Sequence, residues 1–194
     1  MTLMAVARVS APVFPLVVET SGVTLRDERP GDVGMRERLL DAAFGVARFE
    51  KTCERLREGR EAARGLALAT MDGGALVGTL RFWHVEAGGV PALLLGPLAV
   101  AQSHRKLGLG GALMRMGLDR AQALGHKAVI LVGDEPYYSR FGFARAHAQT
   151  LDLPGWHDPA RFLGLELEIG ALAHAMGMVF ATGALERRRI SRAA

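Results

Sequence analysis

The sequence has a single cysteine, Cys53, so no internal disulfide can form. A chain without disulfides suits a reducing compartment, and the cytoplasm is the expected location. No segment approaches the roughly 18 consecutive apolar residues that a membrane-spanning helix needs. The apolar start "MTLMAVARVSAPVFPLVVE" lacks a basic beginning, and Arg8, Pro12 and Pro15 interrupt it, so it does not read as a signal peptide. His, Cys, Asp and Glu nowhere cluster with metal-ligand spacing, and no metal is expected. Repeats and low-complexity stretches are absent as well.

What is present is a chain of 194 residues, 49% apolar and long enough for one domain with a proper core. The net charge of +4 owes much to Arg187, Arg188, Arg189 and Arg192. Without that tail the domain is nearly balanced. A basic tail can touch nucleic acid, but it reads here as solvated, and nothing else in the chain points to a nucleic-acid partner. The organisation expected is an extension over 1–20, one domain over 21–185 and the basic tail over 186–194.

Alternation in "VTLRDE" (Val23 to Glu28) predicts a strand, and "PGD" then places Asp32 as an N-cap. Met35, Leu39, Leu40, Ala43, Phe44 and Val46 follow at helical spacing, and Phe49, Cys53 and Leu56 suggest a second short helix stopped at Gly59. The runs "GLALATM" and "ALVGTLRFWHV", joined through Asp72-Gly73-Gly74, predict a hairpin. A third run, "ALLLGPLAV", contains Gly96-Pro97, and proline inside a buried strand implies a bulge. Leu109, Leu113, Met116 and Leu124 mark an amphipathic helix ended by Gly125, with Arg115, Asp119 and Gln122 facing water. "KAVILVG" reads as a buried strand and "DEPYYSRFG" as a short helix begun by Asp134 and stopped by Gly142, while "FARAHA" and "RFLGLELEI" supply the last strands. The sum is an α/β (α+β) fold with a mixed, largely antiparallel sheet of about six to seven strands flanked by helices.

The most informative stretch is "LAVAQSHRKLGLGGALM", where cations and glycines stand at the mouth of a helix. No Lys-Ser or Lys-Thr follows these glycines, which excludes a P-loop. A dinucleotide fingerprint fails because Leu113 stands where its third glycine belongs. Arg105-Lys106-Leu107-Gly108-Leu109-Gly110 instead spells R-x-x-G-x-G, a loop whose amides and helix end can hold a pyrophosphate.

With that loop, the chain resembles the GNAT acetyltransferase superfamily. "PLAVAQSHRKLGLGGALM" is similar to its acetyl-coenzyme A motif, and "YYSRFGF" (Tyr137 to Phe143) resembles its aromatic second motif. The likeness is strongest from Ala92 to Phe143, and "VAQSH" before Arg105 departs from the short acidic or proline turn of many relatives. The resemblance implies that the loop, Arg105, Lys106, Leu107, Gly108, Leu109, Gly110 and Gly111, binds the pyrophosphate of acetyl-coenzyme A. It also implies that the bulged strand splays from its neighbour, so that Leu98, Ala99 and Val100 meet pantetheine, with Tyr138 and Phe141 alongside. The reaction implied is direct attack of a small-molecule or peptide amine on the thioester.

Tyr138, four residues before Gly142, matches the family tyrosine and is the expected general acid. Tyr137, about a hundred degrees round the helix, reads as structural. The base is open among Glu86, His84, Glu50, Glu54 and water, since "ALLLGPLAV" holds no carboxylate. Cys53 reads as core rather than nucleophile, His104 as a loop residue beside the nucleotide site, and Trp83 and Trp156 as packing or pocket walls. A non-catalytic acyl-coenzyme A sensor is the alternative function. The protein is expected to be a monomer or a homodimer, the latter through apolar groups in "LAHAMGMVF" (Leu172 to Phe180).

Overall fold

The structure, a computed structural model, describes residues 17–20 and 22–186. The arginine tail from Arg187 onward and the first sixteen residues of the expected extension lie outside the described residues.

Among the described residues nine strands form the sheet: β1 (Val17–Thr20), β2 (Val23–Asp27), β3 (Ala67–Asp72), β4 (Ala75–Ala87), β5 (Val90–Val100), β6 (Ala128–Val132), β7 (Leu151–Asp152), β8 (Phe162–Glu166) and β9 (Gly177–Ala181). The main order is β1-β2-β3-β4-β5-β6-β8, with β9 paired to the far end of β4 and β7 to β9. Apart from β5–β6 and β7–β9, which are parallel, every pairing is antiparallel. The helices are α1 (Val33–Phe44), α2 (Thr52–Arg55), α3 (Leu109–Ala123) and α4 (Glu135–Tyr138). Among the described residues no helix is long and apolar enough to cross a membrane.

The core follows from strand alternation, because neighbouring residues on β3 point to opposite faces. Leu68 joins Leu80 and Phe82 under Leu113 and Met114 of α3, whereas Ala69 joins Leu76 and Ala99 under Leu39 and Leu40 of α1. Thus α1 and α3 cover opposite faces. A third cluster, with Trp83, Leu94, Ile130 and Phe162, contains Leu56, from the turn after α2. Gly117 lets α3 approach β4, since a Cβ there would stand 2.7 Å from the Phe82 ring.

The expected bulge is present. Leu80 opposes Leu98 and Phe82 opposes Leu95, so Arg81 alone faces both Gly96 and Pro97, whose peptide bond is cis. Trp83 Nε1 donates to the Gly96 carbonyl at 2.6 Å. On the other edge, β5 pairs with β6 only at Leu93–Val129 and Leu94–Ile130. Beyond Leu94 the two strands part, which leaves a gap through the sheet.

Several expectations are corrected. "FARAHA" is not a strand: Ala144 bridges Gly164, and Arg145–His147 then turns as a 3-10 helix across it. In "LAHAMGMVF", Leu172, Ala175 and Val179 are buried and Gly177–Ala181 is β9, which leaves Met176, Met178 and Phe180 as the exposed large apolar groups of the stretch. The extension read over 1–20 contributes β1 at its end, paired to β2. The first helix stops at Phe44 rather than Val46, where Gly45 takes φ 70°. The second is split into a 3-10 segment, Val46–Glu50, and α2 by extended Lys51. Asp32 occupies the N-cap position of α1, but its carboxylate makes no cap bond there. It receives the Arg26 guanidinium at 2.6 and 2.9 Å and the Arg29 amide at 2.7 Å. Asp134 likewise makes no side-chain cap and pairs with Arg161 at 3.1 Å.

Candidate active site

The loop before α3 has two left-handed residues, Lys106 (φ 72°) and Gly108 (φ 78°). Alternation of this kind turns successive amides inward into an anion-binding nest. The N–H groups of Lys106 through Gly111 donate to no protein acceptor among the described residues, and the first intrahelical bond here runs from Ala112 to Gly108. Helix termini leave such amides free and carry a positive dipole end. Arg105, Lys106 and Leu107 are exposed around them.

Tyr137 belongs to this mouth. A Cβ on Gly110 would stand 2.8 Å from the Tyr137 hydroxyl, and one on Gly111 would stand 3.3 Å from the Arg115 guanidinium. Arg140 lies over the Tyr137 ring at 4.4 Å, and the Phe141 ring is 5.7 Å away. His104 is tied to Asp72 at 2.9 Å and to Ser103 at 2.8 Å, beside the loop.

The gap offers backbone groups. The Ala101 amide donates to Val77 of the β4 side, which makes Ala101 and Ala99 the residues whose amides and carbonyls face β4. By alternation Leu98 and Val100 present theirs to the opening. Ala99 has nothing to offer there, since its backbone pairs with Thr79 and its side chain is buried under α1.

Tyr138 stands at the far wall. Its ring packs edge-on to Tyr137 and Phe143, and it lies so close to Gly133 that a Cβ there would strike it. Burial, then the neighbouring Tyr137 and Asp134, pushes the Tyr138 phenol up to about 12. It is therefore a proton donor at neutral pH. Its hydroxyl has no hydrogen-bond partner among the described residues, and Tyr138 lines a cleft of about 700 Å³ with Leu98, Pro97, Val132, Cys53 and Trp156.

A second lobe of about 300 Å³ lies on the α1 face, lined by Arg81 and Trp83 of β4 and by residues of α1 and α2. The two lobes share Arg48, Glu54, Arg57 and Pro97. Glu50 lines the larger lobe, so of the candidate bases Glu50 and Glu54 reach the cleft. Glu86 does not, being exposed opposite Pro91 and Phe180. His84 sits with its ring 5.3 Å from His126. Burial raises the Cys53 thiol above its ordinary value, which keeps it unreactive. Among the described residues no group of His, Cys, Asp and Glu could hold a metal ion.

Sequence reasoning missed Tyr137 at the helix mouth and Arg48, Arg57 and Arg81 in the cleft. Arg57 alone had a signal, its i, i+3 spacing from Glu54.

The profile of the acetyltransferase (GNAT) family matches residues 35–143. The uncharacterized N-acetyltransferase YhbS of Escherichia coli (strain K12) is 36% identical over 124 residues, covering 63% of this chain and 74% of its own. A crystal structure of the Escherichia coli YhbS protein in complex with CoA aligns with a TM-score of 0.69 at 30% identity, over 88% of this chain and 93% of that one. A GNAT family acetyltransferase from Brucella melitensis, in complex with acetyl-CoA, aligns with a TM-score of 0.57 at 28% identity, over 74% of this chain and 87% of that one. With the profile spanning more than half its length, the chain belongs to the GNAT family of acetyltransferases.

Proposed function

We propose that this enzyme transfers the acetyl group of acetyl-CoA to an amine by direct attack in a ternary complex, using the loop, gap and tyrosine just described. Acetyl-CoA supplies the thioester. The observation that carries the reading is the run of unpaired amides from Lys106 to Gly111 opening onto the β5–β6 gap. These amides, with Arg105 and Lys106 at the rim, hold the pyrophosphate. Leu98 and Val100 pair with the pantetheine amides as an added strand would. Tyr138 donates its proton to the departing thiolate. The amine loses its own proton toward the wall formed by Glu50 and Glu54. Trp83 fixes the Gly96 carbonyl and so holds the bulge that keeps the gap open.

Calorimetric titration with acetyl-CoA tests the loop: wild type binds, and Gly110→Asp, which adds bulk and negative charge there, does not. Unchanged affinity in that variant would remove the loop from the site. Tyr138→Phe is expected to lower kcat by roughly a hundredfold or more, the contribution of a general acid, with acetyl-CoA affinity intact. A wild-type rate would take Tyr138 out of the mechanism.

A further inference from the structure

The smaller lobe has a chemical character that acetyl transfer alone does not require. Five arginines and four glutamates line it. The acids do not leave it neutral in hydrogen-bonding terms. Glu37 is taken by Arg48 at 2.5 Å and by Arg36 at 2.7 Å, and Glu54 is taken by Arg57 at 2.9 Å. Glu58 and Glu186 are exposed. What remains inside is a surplus of cationic donors.

Three guanidinium groups carry that surplus. Arg57 spends Nε on the Cys53 carbonyl and Nη2 on Glu54. Arg48 spends Nε on Asp41 and Nη2 on Glu37. Arg81 spends Nε and Nη2 on Glu28. The Nη1 of each has no protein acceptor among the described residues, and none of the three is sealed from solvent. Yet the side chains are only 10%, 9% and 14% exposed. Burial pulls the Arg57 guanidinium below its ordinary value, with Glu54 opposing. Arginine N–H groups fixed in a concave, largely desolvated site are matched to a carboxylate, which accepts from two donors at once. Surface arginines would hold no such orientation.

The lobe also has the right neighbour. Arg48, Glu54, Arg57 and Pro97 belong to both lobes, so a group bound among the arginines lies beside the bulge and the Tyr138 lobe. About 300 Å³ is at the low end of ligand pockets and suits a small molecule.

We propose that the acceptor is a small amino carboxylate, its carboxylate held by Arg57, Arg48 and Arg81 and its amine presented across Pro97 to the thioester. This rests on the acetyl-transfer reading of the same cleft.

The test compares amino acids, including β- and ω-amino acids, with their carboxamides and with the plain amines lacking the carboxylate. Acceptor-dependent release of free thiol from acetyl-CoA is followed. At least one amino carboxylate is expected to exceed its amide in kcat/KM by about tenfold or more, the lower range for charge-assisted hydrogen bonds. Arg57→Gln is expected to collapse that ratio by raising KM for the carboxylate, and Arg57→Lys, which keeps the charge without the fork, to fall between. Amides or plain amines that equal the carboxylates in wild type overturn the proposal, whatever the variants do. A second arm needs no turnover: CoA-saturated protein is titrated with N-acetylated amino acids and with their amides. Binding of the acids alone supports the assignment, and equal binding of both or of neither overturns it. Failure of acetyl-CoA itself to bind would instead overturn the enzyme reading.

Discussion

A single oxygen governs what position 110 can hold. The Tyr137 hydroxyl lies 2.8 Å from where a Cβ on Gly110 would be, closer than such atoms stand, so even alanine forces Tyr137 to move. Alanine is otherwise the better helix residue by about 1 kcal/mol, and Gly110→Ala should not lower thermal stability. Its cost should fall on acetyl-CoA, with Kd rising about tenfold, roughly one lost charge-assisted hydrogen bond at the mouth. Removing the offending oxygen with Tyr137→Phe should restore most of that loss, a coupling of about 1 kcal/mol in a double-mutant cycle read by calorimetry. Independent effects would mean that Gly110 is needed for the ligand's own approach rather than for Tyr137's. Residue by residue, the site was partly legible. Tyr138, which lines the larger lobe, was marked by its spacing to Gly142. Tyr137 was not, because the offset round a four-residue helix says where it leaves that helix and nothing about α3 meeting it there. Lys106 in a left-handed conformation has no sequence signature at all, since lysine is ordinarily absent from that region.

At the scale of elements, one chain of ion pairs ties the wall of the smaller lobe to the sheet. Arg81 of β4 meets Glu28 at the end of β2, Glu28 meets Arg36 of α1, and Glu37 and Asp41 of α1 hold Arg48 of the Val46–Glu50 segment. Glu28 is the keystone, with only 4% of its side chain exposed and two guanidinium groups upon it. Glu28→Ala would leave the buried Arg81 without its carboxylate and Arg36 with Glu37 alone, and an uncompensated buried charge typically costs about 3–5 kcal/mol. Urea unfolding should show a loss of that order. A loss under about 1 kcal/mol, the range of surface pairs, would mean that water reaches these groups. The regular elements were readable wherever pattern and packing agree, as in α1, α3 and the β3–β4 hairpin. The failures share a cause. In β9, Val179 points inward while Met178 and Phe180 point out, but its pairing partner is the end of β4, some ninety positions earlier, and local alternation could not name it. In "FARAHA" the alternation was real and the ladder was not. Gly164 is overlain by His147, whose backbone stands 3.0 Å from where a Cβ would be, so the segment crosses β8 instead of pairing along it.

For the molecule as a whole, the titrating groups bracket a range of pH in which the fold is most stable. Below it, Asp32 is held under its ordinary 3.8 by the Arg26 guanidinium, and Glu166 under 4.5 by the amides of Gly170 and Leu172. The unfolded chain takes up these protons first, so the stability they contribute is present above those values and lost as pH falls through them. Above it, Tyr138 keeps its proton to about 12 in the fold against 10.0 when unfolded. That contribution is whole below pH 10 and disappears as the solution approaches pH 12. Between the two, His126 sets a gentler slope. Burial, then the facing His84, lowers its imidazole from 6.5, so the unfolded chain binds a proton near pH 6.5 that the folded one refuses until lower pH. Stability should therefore begin to decline below about pH 6.5, well before the carboxylates matter. Urea midpoints across pH 4 to 12 should show this shoulder in wild type. His126→Gln should flatten it between the histidine and carboxylate ranges and leave the steep acid and alkaline falls in place. A shoulder that survives the substitution would assign the slope to a different group and make His126 a neutral packing partner of His84.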